Sequence, residues 1–378
     1  MKLYPKILTK LSVLVIVILF ISCTQTEKSP ERKGDIKIGA IFDLTGTLAY
    51  MGKWSQNGAS LAIDNINNHG GINGRKVSLL IEDGGSDVNK NVSAFRKLID
   101  SDKVALVIGF NSSSAVMAAA PIANTTKTVL LTSGTGSPNI TDAGDYIFRN
   151  RLSGKLEVDA IANFIALKRN IKEIGVLYIN NEYGKGYASI FQSAFEAHGG
   201  KILLEEGFEQ NQTNFKSMVR KLKDNNIQAI YLIAYAKEGG ILLKQSYEQN
   251  FMPQWFSANP IEAPEFLEIA GKSAEGIIYS IAKYDPNDVL SKQFNAEYKE
   301  KYGSDSEMFA ANTYDAVNIG VLAIANTDGS GEQIKTYLYD SIKDYPGVAG
   351  LTTFDHNGDV TKPAIIKILK NGQFTLLE

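Results

Sequence analysis

Residues 37–83 read KIGAIFDLTGTLAYMGKWSQNGASLAIDNINNHGGINGRKVSLLIED. The stretch opens on an apolar run of strand length, IKIGAIF over 36–42. Helical spacing follows over 57–68, with Leu61, Ala62, Ile63 and Ile66 on one face and His69-Gly70-Gly71 as the stop. Residues 77–81 form the next strand, 92–99 a helix, 104–109 (VALVIG) a strand, 115–123 a helix and 128–131 a strand. Strands buried on both faces of a parallel sheet are continuously apolar, as these are. The alternation predicts an α/β fold with a doubly wound sheet.

The pattern restarts after Arg151. Residues 173–179 (EIGVLYI) are a strand and 187–197 a helix closed by His198-Gly199-Gly200. A strand begins over 201–204, a helix spans 214–222, and 229–233 (AIYLI) is again a strand. The echo extends to detail: Arg96-Lys97-Leu98-Ile99-Asp100 and Arg220-Lys221-Leu222-Lys223-Asp224 each precede an alanine, Ala105 or Ala229, at the same distance. Two doubly wound (Rossmann-like) lobes of like topology are therefore expected. Each His-Gly-Gly reads as a helix stop, with glycine in the left-handed position and histidine at the negative helix end.

The chain has 378 residues, long enough for two domains of ~150 residues. Hydrophobic residues at 44% and charged residues at 21% exclude a disordered or polytopic membrane chain. Net charge is -2 with no long basic run, which argues against nucleic acid as a partner. One Cys excludes a disulfide framework and a cysteine-rich metal site.

That cysteine is Cys23. Lys2, Lys6 and Lys10 precede an apolar run over 11–21, too short for the ~20 residues of a spanning helix. Residues 1–22 read as an export signal, and LFISC (19–23) resembles a bacterial lipobox with Phe20 where Leu is usual. The resemblance implies lipid attachment at Cys23; a plain signal peptide with an incidental cysteine is the alternative. Residues 24–33 are polar, so 23–35 form a flexible tether. Removing 1–22 takes three lysines and no acid, moving the net charge from -2 to -5.

Enzyme signatures are missing: there is no GxxxxGK[ST], HExxH or GxSxG. The loop after the first strand, Asp43-Leu44-Thr45-Gly46-Thr47, is not GxGxxG. Residues 355–359 (DHNGD) lack the spacing of a calcium loop and read as a hairpin turn. No catalytic residue, cofactor or metal is expected.

Residues 37–83 further resemble the opening of the bacterial branched-chain amino-acid-binding family of type I periplasmic binding proteins. Gly46, Gly52, Asn57-Gly58-Ala59, Ile66-Asn67 and Gly70 to Arg75 fall at that family's spacing. Ile108-Gly109, Ser112 to Ser114, Pro138, Phe148-Arg149, Tyr183 to Gly186, Ala274 to Gly276 and Thr313 to Ala316 extend the match to the carboxyl end. The resemblance implies two lobes joined by three crossings, expected near 151–155, 281–285 and 346–350. Lobe 1 is then 36–153 plus 284–346, and lobe 2 is 154–283 plus 347–378.

It also implies a ligand site between the lobes. Ser113 is expected to meet a ligand carboxylate at a helix start, and Gly134 to offer backbone. The family's threonine hydroxyl corresponds to Gly136; Thr135 or Ser137 supplies the missing oxygen, or the contact is lost. Tyr183, Tyr235 and Tyr314 match aromatic positions that can cover an apolar group or a cation. Met51 stands for a tryptophan, and Asn259 for the glutamate that pairs with the ligand ammonium. A buried ammonium without a carboxylate is costly. Either Glu262 or Asp315 provides the charge, or the ligand is an amide, a short peptide or a carboxylate. The implied protein is a monomeric solute-binding lipoprotein of an ABC importer, anchored outside the cytoplasm and delivering its ligand to a permease. A sensor of the same fold and a lipid-anchored hydrolase are the rival readings. The second has no nucleophile–base pair behind it.

Overall fold

The computed structural model describes residues 34–377. The expected signal, tether and Cys23 lie outside that range, apart from the tether's last two residues. The first lobe builds from β1 (Ile36–Phe42), α1 (Ala49–Asn68), β2 (Val77–Asp83), α2 (Val88–Arg96), β3 (Leu106–Gly109), α3 (Ser113–Thr126), β4 (Val129–Thr132) and β5 (Ile147–Arg149). Its strands lie in the order β2-β1-β3-β4-β5, all parallel. The order reverses between β1 and β3, which opens a crevice at the carboxyl ends of those strands.

Helix α1 starts eight residues before the helical spacing is legible. Its first turns carry Gly52, Ser55 and Asn57, which are buried despite being small or polar. A Cβ on Gly58 would lie 2.1 Å from the Ala310 carbonyl oxygen, so α1 meets a later helix backbone to backbone. Gly58→Ala is expected to lower the unfolding free energy by about 1–3 kcal/mol through overpacking. A urea midpoint equal to that of the parent would show the two helices are free to part. At the far end of α1, Gly70 takes φ +94° and His69 Nδ1 sits 2.7 Å from the Asn65 carbonyl. Gly199 repeats the left-handed stop at φ +74°.

The second lobe follows with α4 (Gly154–Asn163), β6 (Glu173–Ile179), α5 (Glu182–Ala197), β7 (Lys201–Phe208), α6 (Lys216–Asp224), β8 (Ala229–Ile233), α7 (Ala236–Glu248), β9 (Gln254–Ala258), α8 (Pro264–Ala270) and β10 (Ile278–Ala282). Strands β7-β6-β8-β9-β10 reproduce the parallel order of the first sheet. The repeat in sequence is thus a repeat in topology.

After β10 the chain returns to lobe 1 with α9 (Lys292–Tyr302), α10 (Met308–Ala325) and α11 (Gly331–Ser341). Phe294 and Tyr298 of α9 pack with Leu61, while Ala316, Val317 and Ile319 of α10 join the core under β1 and β3. A hairpin, β11 (Tyr345–Gly347) and β12 (Gly350–Thr352), comes next, and β13 (Ala364–Lys370) and β14 (Gln373–Leu376) extend the second sheet antiparallel beyond β10.

The third crossing, expected at 346–350, lies instead at 361–363. Phe354 and Val360 still belong to the lobe 1 core, and Phe354 sets its ring edge-on against Phe148 at 5.2 Å. The carboxyl part of lobe 2 therefore begins near residue 363 rather than 347. The physical cause is Asp315, whose carboxylate accepts from the amides of Val348 and Ala349 at 2.8 Å each and holds the hairpin on α10. Residues 355–359 form a turn, with Asp355 N–H donating to the Asp359 carbonyl at 2.8 Å.

Candidate ligand cleft

The four loops that matter leave the carboxyl ends of β3, β4, β6 and β8. After β3, Ser112 caps α3 by accepting from Ala115 N–H at 3.4 Å. Its neighbour Ser113 is thereby left for other work. It is buried, and its Oγ accepts from Ser137 N–H at 3.3 Å. After β4 the loop passes through Gly134 and Gly136. From lobe 2, Asn181 caps α5 by accepting from Gly184 N–H at 3.0 Å, which sets Tyr183 in the first turn. Tyr235 precedes α7 and accepts from Asn181 Nδ2 at 3.2 Å.

Ser113, Gly134 and Met51 from lobe 1, and Tyr183 and Tyr235 from lobe 2, line one narrow cavity of about 10 Å³. That is room for about one water, far below the ~300–1,000 Å³ of ligand pockets, so the lobes must part to admit a solute. Tyr183 and Tyr235 stack at 5.5 Å and 19°, and Tyr187 meets Tyr183 edge-on at 4.6 Å. Burial raises the Tyr183 hydroxyl well above the usual phenol pKa, so it stays neutral, and it has no hydrogen-bond partner among the described residues.

Gly136, expected as the position of the lost threonine, lines this wall, and sequence reasoning missed four further residues of it: Asn111, Arg151, Pro260 and Phe309. Arg151 is the consequential one. It is 3% exposed and lies over the Phe309 ring at 6.0 Å. Its Nη2 donates to both Glu157 oxygens at 2.9 and 3.2 Å, and Glu157 also accepts from Tyr187 Oη at 2.7 Å. Burial works against the guanidinium charge, but Glu157 and the tyrosines behind it keep its pKa above the ordinary arginine value. A Cβ on Gly136 would stand 2.2 Å from Arg151 Nη1. The space that a threonine side chain would fill is occupied by the guanidinium. Gly136 beside an arginine at the first crossing was the available signal.

Six expected site residues do not line that cavity. Thr135 turns its Oγ1 back to Thr132 Oγ1 at 2.7 Å, and Ser137 donates its hydroxyl to Glu182 at 3.1 Å, so neither replaces the missing oxygen. Asn259 is buried with its amide 3.9 Å from Met308 Sδ and lines a wider neighbouring cavity with Trp54 and Glu262; Phe309 borders both cavities. Glu262 is already paired with Lys367 and accepts from Tyr279 Oη at 2.7 Å. Asp315 holds the hairpin amides, and burial raises its carboxyl to about 6 against the pull of Lys362 and those amides. Tyr314 packs on Phe294 and takes a hydrogen bond from Asn65 at 3.2 Å.

The lobes also touch directly. Glu182 N–H donates to Ser114 Oγ at 3.2 Å, and its carboxylate accepts from Asn139 Nδ2 at 2.6 Å as well as from Ser137. Tyr50 Oη donates to the Pro260 carbonyl at 3.0 Å, and Thr47 Oγ1 to Asn211 Oδ1 at 2.8 Å. These contacts join the two lobes, and Pro260 among them lines the cavity.

A family model described as periplasmic binding protein matches residues 35–373. The leucine-, isoleucine-, valine-, threonine- and alanine-binding protein of Pseudomonas aeruginosa is 28% identical over 345 residues, covering 91% of this chain and 89% of that one. The leucine-binding protein LivK of Thermotoga maritima superposes with a TM-score of 0.85 at 26% identity, over 91% of this chain and 98% of its own. The branched-chain amino acid transporter substrate-binding protein LivJ of Streptococcus pneumoniae, solved with isoleucine, gives 0.83 at 28% identity, over 90% and 97%.

Proposed function

Because this chain belongs to the periplasmic binding protein family, we propose that it is the extracytoplasmic solute-binding component of an ABC importer. Its solute is small and amino-acid-like: a branched-chain amino acid, an amide, a short peptide or a carboxylate. One observation carries the reading. Ser113 and Gly134 on one lobe and Tyr183 and Tyr235 on the other face a single small cavity, at the switch points of two like sheets.

Ligand docks on lobe 1, where the amide groups at the start of α3 and the Ser113 hydroxyl favour a carboxylate. Lobe 2 then swings over on the three crossings and lays the tyrosine pair on the guest. Closure follows because a bridging ligand binds the closed form better than the open one. The Glu182 contacts add a latch that forms only when the lobes meet. The closed form is the one a permease takes up. Lipid on Cys23 would hold a monomer at the membrane surface, since several acyl chains anchor where one is marginal.

Small-angle scattering with and without saturating ligand tests the cycle. The radius of gyration is expected to fall on binding, and Glu182→Ala to weaken that contraction while leaving docking on lobe 1 intact. A radius unchanged by a ligand that calorimetry shows to be bound would overturn closure.

A further inference from the structure

The chemistry of the cavity wall narrows the solute class, on the premise that the cleft is the solute site. We propose that the physiological ligand is a small organic acid without a free α-ammonium group, gripped by Arg151 and Ser113 and covered by the tyrosine pair. Among the described residues that line the cavity, Arg151 is the one charged side chain and there is no carboxylate.

Three features of Arg151 point to a carboxylate. The guanidinium is almost wholly buried, yet its Nε has no partner among the described residues. A guanidinium presents five N–H donors, and Glu157 takes only those on Nη2, which leaves donors directed elsewhere. Gly136 provides the room that lets Nη1 reach the loop where Gly134 and Ser113 converge. A carboxylate placed there accepts from a guanidinium fork, a serine hydroxyl and helix-start amides, all charge-assisted.

The same wall disfavours an ammonium. Glu157 is fully buried behind the guanidinium, where Arg151 and Tyr187 occupy its oxygens. Glu262 is held by Lys367 and Tyr279, and Asp315 by two amides. Glu307, beyond Phe309 in the neighbouring cavity, accepts from Tyr298 at 3.1 Å and its carboxyl is raised to about 8 by burial, so it is mostly uncharged at neutral pH. An amino acid would bring an ammonium that meets donors on this wall and no carboxylate lining it; Asp43 and Glu238 lie behind Tyr235 and do not line the cavity. Asn111 accepts from Asp43 N–H and donates to Ser55 Oγ, and the remaining side chains of the wall are apolar or aromatic: Met51, Tyr183, Tyr235, Pro260 and Phe309. A short branched alkyl or an aryl group matches the chemistry of that surface once the lobes part to admit it.

Calorimetry on the purified protein with matched pairs decides the matter: 4-methylpentanoate against leucine, and 3-phenylpropanoate against phenylalanine. The acids are expected to bind about 100-fold tighter than the amino acids of the same skeleton. Arg151→Met/Glu157→Gln removes both charges together and keeps an acceptor for Tyr187; it should lose about 100-fold in acid affinity with a native thermal transition. Arg151→Lys keeps the charge without the fork and should lose about tenfold. Amino acids binding as tightly as their deaminated partners would overturn the acid class, as would acid binding untouched by the double substitution. Either result, with contraction on binding, leaves the solute-binding reading standing. No heat and no contraction with any of the four compounds would remove the acid class and count against the cleft as solute site.

Discussion

Arg149→Met is expected to lower the unfolding free energy by about 3–5 kcal/mol, the loss seen when one partner of a buried ion pair is removed. Arg149 is fully buried at the end of β5, and every arm of its guanidinium is engaged. Nε and Nη2 donate to the two Asp359 oxygens at 2.8 and 2.6 Å, Nη1 to the Ser137 carbonyl at 2.6 Å, and Nη2 also to Thr141 Oγ1 at 3.0 Å. The side chain thus ties β5, the loop after β4 and the 355–359 turn to one another. Methionine fills much of the volume but leaves a carboxylate with Thr141 as its remaining side-chain donor, at 2.7 Å. Arg149→Met/Asp359→Leu should recover most of the loss, because replacing both members of a buried pair by apolar groups is often near neutral. Urea unfolding of the four members of the cycle separates these terms. A single-variant loss below about 1 kcal/mol would mean the pair is hydrated. Ligand affinity should fall in the single variant too, since the Ser137 carbonyl it releases belongs to the loop that carries Gly134 and Gly136.

The contrast between what the sequence discloses and what it conceals follows from the range of the interactions. Strands β6 and β8 are legible to the residue because burial on both faces writes an unbroken apolar run. Ser113, Tyr183 and Tyr235 are nominated by the family resemblance, and each follows a strand whose carboxyl end faces the crevice, so they line one cavity, whereas Tyr314, nominated the same way, does not. Helix α1 hides its start because close backbone approach at Gly52 and Gly58 replaces apolar side chains with glycine. The third crossing is concealed by Asp315 binding amides 33 and 34 residues ahead. The same carboxylate looks like a site residue because it follows Tyr314, when its work is to fasten a hairpin. Glu262 misleads for a similar reason: Lys367, its partner, is 105 residues away. Arg151 is silent because its meaning depends on a side chain that is absent at Gly136.

That dependence bears on the double substitution Ser113→Ala/Tyr183→Ala, whose expected outcome is a loss of ligand affinity of roughly 1,000-fold. In the proposed docking the Ser113 hydroxyl would donate to the ligand carboxylate, an interaction worth about 1.5–3 kcal/mol. The Tyr183 ring is a buried aromatic anchor stacked on Tyr235, and truncating such anchors costs about 2 kcal/mol or more. Together they approach about 4 kcal/mol, and each 1.4 kcal/mol is tenfold. The two halves should also separate kinetically. Ser113→Ala weakens docking on lobe 1, whereas Tyr183→Ala removes the cover that lobe 2 brings down and mainly speeds release. Tyr183→Phe keeps the stack and deletes only a hydroxyl that has no partner among the described residues, so its loss should be small unless the ligand itself uses that oxygen. Calorimetry gives the totals and stopped-flow the rates. Affinity unchanged in the double variant would place the ligand somewhere other than the cavity these residues line. A loss confined to Ser113→Ala would leave docking on lobe 1 in place and remove the tyrosine cover from the mechanism.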